Sequence, residues 1–307
     1  MKNEFEKFKI KNPDTSLQEE TERALMDLHD RHTQSEEQTR EESMSIEEAL
    51  DKGAAEKLKQ VFELIKVNLK KRGVKNPNIT PVVFMKYAVV DKPGRGFSGL
   101  KYIEIYDSLI TDKSLKQLVT FKAIAHEAYH SVGKLSVAIK TDKKNPEKVK
   151  LNVEASGAGY REARGKSALE EGAAMFFESE TFDDIKNLFP KKTVEQYNRL
   201  IKTGIDSFRE KNKNVDIGQD SVTLLSNRNQ ELFLTRTYHH PIELVKYLKT
   251  KVEGFDEKLE KLRVDRRSLD MVRALEQKFG EGMFRKIVTC EVGKAEELLE
   301  ELKSIEK

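Results

Sequence analysis

"FKAIAHEAYHSVG", residues 121–133, places two histidines four positions apart with a glutamate directly after the first. The surrounding pattern is helical. Steps of three or four residues from Leu115 through Val119 and Lys122 or Ala123 lead to His126 and then His130, so both histidines continue a mostly apolar, inward-facing stripe. Ser114 with Gln117 reads as a capping box opening this helix, and Gly133 stands where it would close. On a helix, positions i and i+4 stack about one turn apart. Two imidazoles so spaced can bind one ion at roughly 2.0–2.1 Å each. Glu127 falls on the adjacent side, close enough to take a proton from water that the ion activates. A structural histidine pair on a core helix is the competing interpretation. Placement on the inward face, after two strands, favours metal.

Two histidines cannot hold zinc alone. The extended pattern HExxHxxGxxH fails, because position 136 is Ser136. The remaining histidines lie far along the chain, which turns attention to carboxylates. "SALEEGAAMFFESE", residues 167–180, opens a later helix with two adjacent glutamates. Glu170 lies three positions after Ser167, where a capping box would engage it. Glu171 is then the candidate third ligand.

HEAYH followed by a helical Glu-Gly-x-Ala resembles the gluzincin clan of zinc metallopeptidases, and is closest in style to its compact minimal members. The clan's order of helix, strands, edge strand, HExxH helix and glutamate helix is matched by residues 45–180, under half the chain. The resemblance implies one Zn2+ per chain bound by His126, His130 and Glu171, with Glu127 as general base. It implies an edge strand, in "YIEIYDS" (residues 102–108), that aligns an extended peptide by main-chain pairing. Glu170 occupies a position where many members have Asn. Members also place a Tyr or His to stabilise the oxyanion; "TYHHP" offers Tyr238 and His239 just before a helix. No "GxMEN" exopeptidase signature precedes the motif helix, which points to an endopeptidase. The alternative is a non-catalytic gluzincin-like scaffold or interaction protein with structural zinc. The intact Glu127 argues against it, since a pure binder has no need of the base.

Around this centre the chain reads as α+β: a small mixed β-sheet with an edge strand packed on the HExxH helix, then a predominantly helical C-terminal part. Residues 1–44 read as a mobile acidic arm, 45–180 as the zincin-like catalytic core, and 181–307 as a helical subdomain completing the cleft. "SIEE" (residues 45–48) is a capping box, and one helix is expected from there to Gly73. "NITPVVFMKYAVV" reads as a buried strand, "DKPGRGFSG" as a turn, and "LKYIEIYDSLI" as a second strand with Ile103 and Ile105 on one face. Residues 139–166 read as a long polar loop. Beyond residue 182, helices are expected to break at Pro190, Gly204, Gly218, Pro241, Gly254, Gly280 and Gly293.

Charged residues make up 36 % of the 307 and the hydrophobic set 37 %, and no apolar run approaches the ~20 residues a bilayer span needs. "MKNEFEKFKIKNPD" has neither an apolar run nor a small-residue cleavage site, so no secretory signal is expected. With a single cysteine, Cys290, precluding an internal disulfide, a cytoplasmic protein is expected. Residues 1–50 carry fourteen acidic and seven basic side chains, while the whole chain is formally +3, so the body is cationic. Its lysines are dispersed among glutamates without a basic-aromatic stripe, and nucleic acid is not the expected partner. A peptide or protein substrate is. The acidic arm could act as a tethered inhibitor of the cationic body. His29 and His32 in that arm have no third ligand nearby and read as surface residues.

Overall fold

Ser45 opens a helix as its capping box predicts. In the computed structural model of the chain, Glu48 N–H donates to Ser45 Oγ (3.1 Å) and Ser45 N–H to Glu48 Oε2 (2.7 Å). The structure describes residues 43–85, 96–98, 102–106, 108–132, 136–141, 149–154, 167–211, 217–226, 232–235, 238–265 and 269–305. The acidic arm, with His29 and His32, falls outside them apart from its last two residues. Those two, Ser43–Met44, are strand β1.

The single helix expected from Ser45 to Gly73 is two. α1 (Ile46–Leu50) ends at Asp51, whose φ is 91°, and α2 (Ala54–Lys71) starts after Gly53. Val61, Ile65 and Leu69 of α2 are buried, and Gly73, with φ of 97°, follows its end as the pattern requires.

The main sheet contains β1, β2 (Val82–Met85), β3 (Gly96–Ser98) and β4 (Ile103–Tyr106) in the order β1-β2-β4-β3. β2 and β4 run parallel, with Val82 opposite Ile103 and Met85 opposite Tyr106, and the two outer strands are antiparallel to them. Ile103 and Ile105 are buried, so the expected alternation of β4 holds. Its position in the sheet differs from expectation. β4 is interior, and the edge is β3, from the segment read as a turn. Gly96 and Ser98 are poor strand formers, which hid β3 from a propensity reading.

Helix α3 (Lys113–Ser131) carries the motif and packs on β3 and β4 with one side and on α4 (Ala168–Lys186) with another. Leu115, Leu118, Phe121, Ile124, Ala125 and Ala128 are therefore buried around much of its circumference. Its cap is Asp112, whose Oδ1 accepts the Leu115 N–H at 2.9 Å, not the predicted Ser114–Gln117 box. Gln117 instead donates to the Leu50 carbonyl (2.8 Å), tying α3 to α1.

The loop expected over residues 139–166 instead contributes to strands β5 (Ser136–Thr141) and β6 (Val149–Glu154), paired antiparallel from Ser136 opposite Glu154 to Thr141 opposite Val149. This hairpin falls outside the compact unit that holds the other described residues.

The rest of that unit is mostly helical, as expected. It comprises α5 (Lys191–Lys211), the strand pair β7 (Thr223–Ser226) and β8 (Leu232–Thr235), α6 (His239–Lys251), α7 (Phe255–Glu260), a π-helical turn (Lys261–Asp265), α8 (Leu269–Phe279), α9 (Met283–Val288) and α10 (Ala295–Ile305). Two of the expected breakers do not break. Pro241 lies in the first turn of α6, where its missing N–H costs nothing. Gly204 lies inside α5, where an added Cβ would collide with the Leu234 side chain. No helix among the described residues is long and apolar enough to cross a membrane.

Candidate metal centre

α3 and α4 cross where His126 and His130 face Glu171. Their three donor atoms converge. His126 Nε2 and His130 Nε2 are 3.2 Å apart, and Glu171 Oε2 lies 3.4 Å from the first and 3.6 Å from the second. A tetrahedral ion with ligands at roughly 2.0–2.1 Å requires ligand–ligand edges of about 3.3–3.4 Å. The observed triangle is that size, and the donor set of two imidazoles and a carboxylate suits zinc. Among the described residues, this is the cluster of His, Cys, Asp and Glu able to hold an ion.

The other ring nitrogens are also engaged. His126 Nδ1 lies 3.1 Å from Glu178 Oε2, and His130 Nδ1 lies 3.3 Å from Glu170 Oε1. A carboxylate on Nδ1 fixes ring orientation and turns Nε2 outward as the ligand atom. Each of these glutamates meets a buried cation. Lys122 Nζ is 3.1 Å from Glu178 Oε1, and it also donates to Tyr197 Oη and the Val222 carbonyl. The Arg263 guanidinium reaches Glu170 at 3.3–3.4 Å.

Burial works against a charged His126, but the adjacent carboxylates of Glu171 and Glu178 prevail and hold its pKa up at about 10. His130 is raised to about 9 against the same penalty, by the Glu171 charge and by its contact with Glu170. Burial opposes ionisation of Glu170 too, yet Arg263 and His130 bring it down to about 2. Glu171 and Glu178 are likewise held low by their cationic neighbours despite burial. Arg263 and Lys122 thus offset Glu170 and Glu178, while Glu171 faces both imidazoles.

Glu127 is half-buried beside His126. Tyr238 is the N-cap of α6, and its ring stacks on His126 with centroids 6.0 Å apart and planes 18° from parallel. His239, buried in the first turn of α6, has its ring against His240 with centroids 4.9 Å apart.

The reading of Glu170 as a cap is overturned. Ser167 makes no side-chain cap; its Oγ donates to the Val288 carbonyl, and Glu170 is 5 % exposed, between His130 and Arg263. A buried imidazole and a guanidinium outcompete a helix end for a carboxylate. Glu178, Lys122 and Arg263 went unrecognised. Glu178 follows Glu171 by two helical turns, a spacing that puts both on one face and could have identified it. Lys122, one turn before His126, could have been found by the same rule. Nothing local marks Arg263. Cys290 is buried, and burial pushes its thiol up to about 11, so it keeps its proton at neutral pH.

No protein-family model, curated protein or solved structure matches the chain.

The glycine of "LEEGAA" has a steric role here. A Cβ on Gly172 would run into the Pro241 carbonyl oxygen and press on Val245, so only glycine lets the first turn of α6 lie on α4. That turn follows Tyr238 directly. Gly172→Ala is expected to lower thermal stability by a few kcal/mol through overpacking and to displace Tyr238 from His126 while the ligand triangle stays. Unchanged stability, measured by thermal unfolding, would show that α6 can slide without cost.

Proposed function

We propose that the chain is a zinc-dependent endopeptidase, with His126, His130 and Glu171 as the metal ligands and Glu127 as general base. The convergence of two imidazole nitrogens and one carboxylate oxygen into a triangle of tetrahedral dimensions carries this reading. Bound zinc would supply Lewis acidity, polarising a carbonyl oxygen and acidifying water.

The protein's own groups supply the remainder. Glu127, next in sequence to a ligand and on the adjacent side of α3, accepts a proton from the attacking water and delivers it to the leaving amine. Tyr238, held over His126 by the start of α6, can donate its hydroxyl to the oxyanion of the tetrahedral intermediate; His239 is the neighbouring candidate. β3 packs on α3 and, among the described residues, pairs with β4 alone, so an extended peptide could add to its outer edge.

The test is metal content and peptide hydrolysis together. The purified chain is expected to retain about one zinc. Glu171→Gln should loosen zinc by more than the roughly 10–100-fold typical of losing an outer partner. Wild-type affinity in that variant would remove Glu171 from the ligand set. Zinc uptake with no cleavage of a broad peptide library would favour a binding scaffold with structural zinc.

A further inference from the structure

Arg263 is fully buried, yet it belongs to neither α3 nor α4. It sits in the π-helical turn Lys261–Asp265, a rare geometry that re-aims side chains relative to a regular helix. Its guanidinium is shared among three groups. Nη1 donates to Glu260 Oε2 (2.6 Å), Nη2 to the Tyr129 carbonyl (2.6 Å), and Nε and Nη2 to Glu170 at 3.3–3.4 Å. The group also lies 3.5 Å from the Tyr129 ring centroid, and the Tyr129 hydroxyl donates to Glu260 Oε1 at 2.8 Å. Tyr129 is the residue immediately before His130. Arg263 therefore grips the His130 end of the motif from two sides, through the backbone of α3 and through the carboxylate facing His130 Nδ1.

We propose that Arg263 is a positioning residue of the metal centre, which holds Glu170 against His130 and so fixes the direction in which His130 presents Nε2. This rests on the metal reading of the site. The fork explains the residue type, since the three nitrogens of a planar guanidinium reach two carboxylates and a carbonyl in separate directions, which the single nitrogen of an ammonium does not. The arm is specific to His130. His126 has its own support in Glu178 and Lys122. It follows that metal retention depends on a turn in the C-terminal third of the chain, more than 130 residues beyond the motif.

The experiment uses the full-length chain and zinc itself, with affinity measured by competition against a chromophoric chelator. Arg263→Met, Glu170→Gln and the double variant are compared with wild type. Each single change is expected to weaken zinc roughly 10–100-fold, and the double variant to be no weaker than the worse single one, because both remove the same support. In the cobalt-substituted protein, the exchangeable Nδ1–H signal of His130 should shift or vanish in Arg263→Met while that of His126 persists. Additive losses, or equal disturbance of both histidine signals, would reduce Arg263 to a general structural role and overturn the proposal. So would wild-type affinity in a folded Arg263→Met. If Arg263→Met does not fold, Arg263→Lys keeps the charge without the fork; an intermediate loss of affinity is expected, and an unchanged one overturns the proposal. Absence of zinc binding in wild type would sink the metal reading itself, a result distinct from normal binding in both wild type and variant.

Discussion

Glu127→Gln is expected to abolish peptide hydrolysis, lowering kcat by roughly 10²–10⁴-fold or more, while leaving about one zinc per chain and a normal unfolding temperature. The amide has nearly the carboxylate's shape but cannot take a proton from water. Glu127 is half-buried and is not one of the atoms of the ligand triangle. Its neighbours Glu171 and Glu178 keep His126 in place without it. The loss should therefore fall on kcat with KM little changed, the pattern of an interaction made in the transition state. Turnover equal to wild type would remove Glu127 as the base. A variant that lost zinc along with turnover would place Glu127 in the metal site's support instead.

The motif helix was readable because its signals are local. A stripe recurring every three or four residues carries the histidines inward, and His126, Glu127 and His130 need only that helix to be arranged. Ser45 and Glu48 likewise find each other three residues apart. The same short-range logic misassigned Glu170, because the pattern Ser-x-x-Glu says nothing of a guanidinium arriving from residue 263. It also misplaced the cap of α3, where Asp112 precedes the expected Ser114. Strand order was hidden for a related reason. Alternation in β4 reports which face is buried, whereas whether β4 lies inside the sheet depends on a three-residue strand at 96–98, in which Phe97 alone favours β structure, pairing with it. The cations that offset the two supporting glutamates are the least legible. Lys122 lies within a helical turn of His126, but Arg263 is placed by a π-helical turn that no composition or spacing announces.

Stability is expected to fall with rising pH in the metal-free chain and to hold level above about pH 6.5 with zinc bound. In the metal-free chain, His126 and His130 are raised to about 10 and about 9, against about 6.5 when unfolded. The folded state thus binds more protons than the unfolded state between those values, and stability must fall as pH rises. Their contribution is fully present below about pH 6.5 and is lost as pH climbs through 9 to 10. On the acid side, Glu170 is lowered to about 2, and its contribution disappears as pH falls below about 4.5 toward that value. The metal-free protein should therefore be most stable near pH 5–6 and lose on the order of a few kcal/mol by pH 9. Zinc removes this fall, because imidazoles that ligate it are neutral, like those of the unfolded chain above about pH 6.5. Ligand imidazoles must be neutral, so each proton that weakens metal binding is already leaving as pH rises, and affinity increases. At free zinc about a thousandfold above Kd, binding adds about 4 kcal/mol to folding. Thermal unfolding between pH 6 and 9, with chelator or with a slight excess of zinc, measures both slopes. The gap between the two curves should widen with pH, and replacing both His126 and His130 by Asn should close it. Parallel curves would mean that zinc does not displace the protons of this cluster, and the ion would have to be sought at other residues.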